Sequence, residues 1–308
     1  MLLLTQVGEQ LIYKNTSTQT IIFTLVGLKI ACKGGIGDVL AQQLHQKGLL
    51  VFATARSLAK IEHLKEQGIK VLQLDVVDDA SIQKAVEQVG AETGGKLDFL
   101  INNSGGGYSM PLLDSDLTAA KQLFDVNVFA LVGVTKAFSP LLIASKGTVI
   151  NVGSGIGYVP YPWSGWYNTS KAAANLLTDV MRIELGLLGV KVVLVVCGGI
   201  KTNFYSNLVN TPTLPATSPY IAAKEEVQES MSGENFTKVA MDAQVAVKKI
   251  VDNILSSSPT KRHWVASGSF LVWFVSTFGW ATIWDTLIKG QAKLGIVQEK
   301  IKAAAKSK

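Results

Sequence analysis

Residues 147–171 read GTVINVGSGIGYVPYPWSGWYNTSK. The run from Gly147 to Val152 is short and rich in β-branched residues, which predicts a buried strand. Helical spacing then runs from about Gly165 to Leu188, and Val190 to Val196 predicts the next strand. A strand, a helix and a strand in that order make a unit whose two strands lie parallel. Within the helix, Tyr167 and Lys171 are four apart and share one face. A lysine held beside a phenol stabilises the phenolate, so the tyrosine can pass a proton near neutral pH. Ser154 follows the first strand, where ligands collect in open α/β sheets.

The same alternation extends in both directions. Strands are expected at Ile21–Val26, Leu49–Thr54, Lys70–Asp75 and Leu97–Ile101, with helices at Asp38–Gln46, Leu58–Gln67, Ala80–Glu92, Leu117–Ile143 and Gln244–Leu255. Strands without polar alternation are covered on both faces. The fold class is therefore α/β: a single Rossmann-type, doubly wound parallel sheet with a hydrophobic C-terminal extension. Residues 21–262 form the dinucleotide-binding and catalytic domain, preceded by an N-terminal segment, 1–20, in which no signal peptide is apparent. Within the domain, 203–237 is rich in Pro, Ser, Thr and Asn and is expected to be a substrate lid. Residues 263–308 are an aromatic, lysine-tailed extension.

Composition excludes several function classes. The two cysteines, Cys32 and Cys197, make no disulfide framework. The three histidines have no ligand spacing, so no metal is expected. The net charge of +6 is concentrated in residues 289–308, where six lysines face one acid, Glu299. The basic balance belongs to this tail, and no arginine cluster with interleaved aromatics points to nucleic acid.

Five further sites align with a dinucleotide site. A glycine turn, Val26-Gly27 and then Cys32-Lys33-Gly34-Gly35-Ile36-Gly37, follows the first strand, and Leu28 to Ala31 reads as a four-residue insertion within it. Such a turn admits a pyrophosphate at a helix N-terminus. Arg56 stands where an acid otherwise grips the adenosine ribose, and a cation there pairs with a 2′-phosphate; Lys33 points the same way. Asp75, Asn102-Asn103-Ser104-Gly105 and Cys197-Gly198-Gly199-Ile200-Lys201-Thr202 follow later strands.

Together with Asn127, Ser154, Tyr167 and Lys171 in register, these motifs resemble the classical short-chain dehydrogenase/reductase family, over roughly Ile21 to Val265. Within it they are most similar to the fungal NADPH-dependent 1-acyldihydroxyacetone-phosphate reductase group, through the D-V-V-D after strand three, the N-N-S-G-G-G-Y run and the aromatic extension. The resemblance implies roles. Tyr167 donates the proton, Ser154 polarises the carbonyl oxygen, Lys171 lowers the Tyr167 pKa and binds the nicotinamide ribose, and Asn127 holds a relay water. It implies NADP(H) contacts from Gly27, Lys33, Gly35, Ile36, Gly37, Arg56, Asp75, Asn103, Lys136, Tyr167, Lys171, Ile200 and Thr202. It also implies a homo-oligomer. Valine for threonine before Gly27, serine at 104 for alanine and cysteine at 197 for proline depart from the family pattern.

The expected activity is NADPH-dependent reduction of a ketone on a lipophilic small molecule, 1-acyldihydroxyacetone phosphate first. The alternatives are a sterol, retinoid, polyketide or terpenoid substrate, or a cofactor-binding regulatory protein without turnover. Trp264 to Trp284 carries no charge over 21 residues, long enough to span a bilayer. A span would part the lysine tail from the cytosolic domain, so interfacial or hairpin association is expected, with Trp273, Trp280 and Trp284 at headgroup level and the lysines on anionic lipid. The alternative is an apolar flap over the substrate pocket. The expected location is the cytosolic face of the endoplasmic reticulum or a lipid droplet.

Overall fold

A computed structural model describes residues 20–24 (main chain), 34–202, 204 and 213–306. In chain order the elements are β1 (Thr20–Thr24), α1 (Ile36–Gln46), β2 (Leu50–Ala55), α2 (Glu62–Lys65), β3 (Lys70–Gln73), α3 (Asp79–Thr93) and β4 (Phe99–Asn102). Then come α4 (Leu117–Phe124), a π-helical turn (Asp125–Phe129), α5 (Ala130–Ser145), β5 (Thr148–Ser154), α6 (Gly165–Glu184), β6 (Lys191–Cys197) and β7 (Ile200–Lys201). The chain closes with α7 (Lys224–Ser232), α8 (Glu234–Lys238), β8 (Met241–Asp242), α9 (Ala243–Ile254), β9 (Arg262–Val265), α10 (Ser269–Phe278), α11 (Ile283–Gln291) and α12 (Leu294–Lys306).

The main sheet has the order β3-β2-β1-β4-β5-β6-β9, with every pairing parallel. Successive residues of one strand enter different cores. In β2, Val51, Ala53 and Ala55 join α1 and α9 on one face, while Phe52 joins α3 and α5 on the other. In β6, Val193 and Val195 take the first face and Val192 the second. This is why the strands read as unbroken apolar runs.

Three expectations need correction. The helix expected at 58–67 is a 3-10 turn at Leu58–Lys60 followed by the single turn α2. Only Ile61 and Leu64 there are buried, too little to stabilise a longer helix. The helix expected at 117–143 is interrupted by the π turn. Its 29 residues, 117–145, are long and apolar enough to cross a membrane. However, Leu131, Val134, Phe138 and Leu142 pack its inner face onto the sheet.

The third correction concerns where the extension begins, expected at 263. The uncharged stretch 264–284 is not one helix: Trp264 lies in β9, the seventh strand of the sheet, and Gly279 ends α10. A boundary at 262/263 therefore cuts a strand. The ten residues of α10 reach about 15 Å, half of a hydrocarbon core of about 30 Å. The tail is also less free than its charge suggests. Val297 and Ile301 of α12 pack with Val227 and Met231 of α7, inside the expected lid. Lys293 Nζ meets Glu229 Oε2 at 2.6 Å, and Lys300 Nζ meets Glu226 Oε1 at 2.7 Å. Two of the lysines assigned to lipid thus pair with α7.

Candidate active site

The catalytic set converges at the carboxyl ends of β4 and β5. Ser154 is the last residue of β5, paired in register with Cys197 of β6. Its Oγ accepts from the Ile156 N–H at 3.2 Å and opens the 3-10 turn at 155–158. Tyr167 and Lys171 stand one turn apart on α6, which lies across β5 and β6. Tyr167 is half-buried, with its ring 5.9 Å from that of Phe204. Lys171 is buried, and its Nζ donates to the Val152 carbonyl at 3.4 Å. Burial pulls the Lys171 pKa below the ordinary lysine value. A Cys197 thiolate would counter this, but burial pushes that thiol up to about 12, so at neutral pH it carries no charge.

Asn127 sits in the π turn, a local widening frequent at functional sites. Its Oδ1 accepts from the Gly106 N–H at 2.8 Å, and its Nδ2 donates to the Gly106 carbonyl at 3.1 Å and to Ser170 Oγ at 2.9 Å. One lone pair of Oδ1 remains for a water. A Cβ at Gly105 would lie 3.2 Å from Lys171 Nζ and 3.3 Å from Asn127 Oδ1. Any side chain at 105 would fill the space that the lysine and the asparagine share. A cavity lined by Asn102, Ser104, Asn127, Val152 and Lys171 opens there.

Among the described residues, the remaining candidates line the same sheet edge, with one exception. Gly35 caps α1 without a side chain, and Ile36 and Gly37 open the helix, leaving its first N–H groups for an anion. Gly34 adopts φ +81, which favours glycine. Arg56 is exposed directly after β2, and its carbonyl accepts from Gln73 Nε2 at 3.2 Å. Asp75 is half-buried two residues beyond β3, with Oδ1 accepting from the Val77 N–H at 3.2 Å. Asn103 is half-buried just after β4. Ile200 packs on the core from β7, and Thr202 Oγ1 accepts from the Phe204 N–H at 3.3 Å. Gly27, Lys33 and the inserted residues 28–31 lie outside the described residues. Lys136 is the exception: it is exposed on α5 and lies outside the cavity, while its neighbour Thr135 turns inward. Nine residues from Asn127 put Lys136 on the opposite side of the helix.

The structure also adds residues. Ser170 braces Asn127, and a buried chain joins α5 to α6 beneath the site. In it Asn102 Nδ2 donates to Thr135 Oγ1 at 3.0 Å and to Asn151 Oδ1 at 2.8 Å, and Asn151 Nδ2 donates to Thr178 Oγ1 at 3.0 Å. A polar Asn151 inside a strand of apolar neighbours was the available signal.

The residues present fit a bound NADP(H): a bare helix N-terminus, an exposed cation after β2, and a buried ammonium beside a glycine-lined cradle. A parallel sheet with a tyrosine and a lysine on one helix turn beside a strand-end serine is the arrangement of an oxidoreductase acting on CH–OH and C=O groups. The family described as short chain dehydrogenase matches residues 27–213. This chain belongs to it. A short-chain dehydrogenase of Hypocrea virens, virD, is 34% identical over 267 residues, covering 87% of this chain and 92% of the relative. The NADPH-dependent 1-acyldihydroxyacetone phosphate reductase of Schizosaccharomyces pombe is 36% identical over 223 residues, covering 71% of this chain and 75% of the relative. The crystal structure of a short-chain dehydrogenase from Streptomyces avermitilis superposes with a TM-score of 0.71 at 21% identity, covering 89% of this chain and 98% of that one.

Proposed function

We propose that this chain reduces a ketone on a lipophilic substrate with NADPH, and that 1-acyldihydroxyacetone phosphate, giving 1-acylglycerol 3-phosphate, is the first substrate to test. The convergence of Ser154, Tyr167, Lys171 and Asn127 carries the reading. Bound NADPH supplies the hydride. Ser154 Oγ hydrogen-bonds the carbonyl oxygen and Tyr167 gives it a proton. Lys171 holds the nicotinamide ribose and favours the Tyr167 phenolate, and the free lone pair of Asn127 Oδ1 seats a water that returns a proton to Lys171. Arg56 takes the 2′-phosphate. The lipophilic substrate class is supported by the apolar cluster above the site, where Met110, Leu214 and Val227 pack with Trp163 and Tyr220.

The named activity of the Schizosaccharomyces pombe relative favours the acyl-lipid substrate. The same apolar cluster also suits the second reading, a sterol, retinoid, polyketide or terpenoid ketone. Purified protein is given NADPH and a panel of such ketones, with NADPH absorbance as the readout. Turnover of acyldihydroxyacetone phosphate, lost in Tyr167→Phe, supports the reading. Turnover that survives Tyr167→Phe refutes the mechanism.

We propose further that α10 lies on the cytosolic surface of the endoplasmic reticulum or a lipid droplet. Phe270, Leu271, Phe274, Phe278 and Trp280 are all at least half exposed, and Lys289, Lys302 and Lys306 are exposed nearby in sequence. Flotation with vesicles, lost when Phe270, Phe274 and Phe278 become serine, is the expected result. A second exposed stripe, Leu176, Val180, Ile183 and Leu187 on α6 and the turn after it, suits a homo-oligomer, for which light scattering is the test.

A further inference from the structure

We propose that Asn175 is a positioning residue for the reduction: it sets Ser154 by holding that residue's main chain. The inference rests on the reductase reading above, in which Ser154 Oγ polarises the substrate oxygen. Tyr167, Lys171 and Asn175 follow at four-residue steps along α6, so they share one face. Asn175 is 3% exposed, and its Nδ2 donates to the Ser154 carbonyl at 3.0 Å. One helix thus carries the proton donor, its lysine and the clamp on the serine.

The surroundings show what this bond costs. Asn175 Oδ1 is buried with no hydrogen-bond partner among the described residues. A buried unpaired oxygen is unfavourable, and leucine or alanine here would avoid it. Asn151, in the same part of the core, has both sides of its amide paired, whereas Asn168, also on α6, shares the unpaired Oδ1. Glycine at 153 makes room for the amide. A Cβ there would collide with Asn175 Oδ1 and press on Leu194; one at Gly157 would lie 2.7 Å from Asn175 Nδ2 but also 2.8 Å from the α6 main chain at Lys171 and Ala172. Neither glycine has a positive φ, so space, not backbone conformation, requires glycine at both. An unpaired oxygen and a glycine inside a strand are local weaknesses. Their shared result is a fixed main chain at Ser154.

The test compares Asn175→Ala and Asn175→Asp with the parent protein by kcat, KM and NADPH binding, the last from quenching of tryptophan fluorescence. Asn175→Ala should lower kcat by roughly 10- to 100-fold, as expected for a reacting group displaced by up to about 1 Å, with the Kd for NADPH unchanged. In Asn175→Asp an ionised carboxylate cannot donate to the Ser154 carbonyl, whereas a protonated carboxyl can. Burial raises the pKa of such a carboxyl. The ratio of Asn175→Asp to parent kcat should therefore climb as pH is lowered, while the ratio for Asn175→Ala stays flat. A packing role alone would give neither pattern. Parental kcat in Asn175→Ala overturns the proposal. So does an Asn175→Asp ratio that is flat with pH in protein that still binds NADPH, and this arm stands even if Asn175→Ala fails to fold. Ser154→Ala separates the two levels. If it keeps turnover, the role of Ser154 itself is wrong; if it is inactive while Asn175→Ala is unaffected, only this inference falls.

Discussion

Lys171→Met should raise the stability of the cofactor-free protein while removing turnover. Lys171 is 8% exposed, and the bond its ammonium donates to the Val152 carbonyl is long, 3.4 Å. Burying an ion costs several kcal/mol, and a hydrogen bond to a charged group returns about 1.5–3 kcal/mol at most. Methionine keeps most of the aliphatic stem, a change that usually costs under about 1.5 kcal/mol. The balance favours the variant by about 1–3 kcal/mol, and at roughly 2–4 °C per kcal/mol for a chain of this size the melting temperature should rise by several degrees. The dependence on pH has a definite sign. Burial lowers the Lys171 pKa in the folded state, so between that value and the unfolded one the native protein binds fewer protons than the unfolded chain. Parent stability therefore climbs with pH across that window. The advantage of Lys171→Met should be greatest near neutral pH and shrink in alkaline buffer. Scanning calorimetry of both apoproteins over that range decides it. A variant that melts below the parent at neutral pH, or an advantage that grows with pH, refutes the argument. Turnover should fall by about 10²–10⁴-fold as the proton path is lost.

Three other outcomes follow from the same structure. Arg56→Asp should weaken NADPH by roughly tenfold, the low end of a charge-assisted phosphate contact because Arg56 is exposed, and should leave NADH no worse; fluorescence titration with both cofactors reads the ratio. Phe138→Ala, at a fully buried side chain between α5 and the sheet, should cost about 3–5 kcal/mol in denaturant melts. In a Cys32→Ser background, Cys197, buried and with a thiol pushed up to about 12, should resist a thiol reagent at mildly alkaline pH and react once the chain is unfolded.

What could be read from the residues alone was local. Strand positions were visible because both sheet faces are covered, so β2 and β6 are apolar apart from Thr54 and Lys191. Tyr167, Lys171 and Ser154 were visible because helix period and strand end place them without tertiary information. The π turn at Asn127 was hidden because one extra residue per turn leaves the apolar periodicity of 117–145 nearly intact. β9 was hidden because Arg262 to Val265 merges into the aromatic run, and only pairing with β6 separates them. The pairing of Lys293 and Lys300 with α7 depends on a tertiary contact between segments about 70 residues apart, which charge counting cannot see.

α7, within the segment expected to be a lid, and the extension cannot then be treated as separate parts. α7 meets α12 through Val227, Met231, Val297 and Ile301, with an ion pair on each side of that contact. Glu226 is the more enclosed acid, its side chain 14% exposed, and the Lys300 ammonium bonded to it holds its carboxyl below the usual carboxylate range. Displacing α12 would leave that carboxylate without its cation and uncover Val227 and Met231 beside Tyr108 and Trp163. The opposite end of the extension packs elsewhere. Val272 of α10 stands against Gly155, the residue after Ser154. The extension therefore touches the rest of the chain in two places: α12 on α7, and α10 on the turn that Ser154 opens. Shortening the chain in this region perturbs both at once. Side-chain replacements on the outer face of α10 are consequently the cleaner probe of what the extension touches.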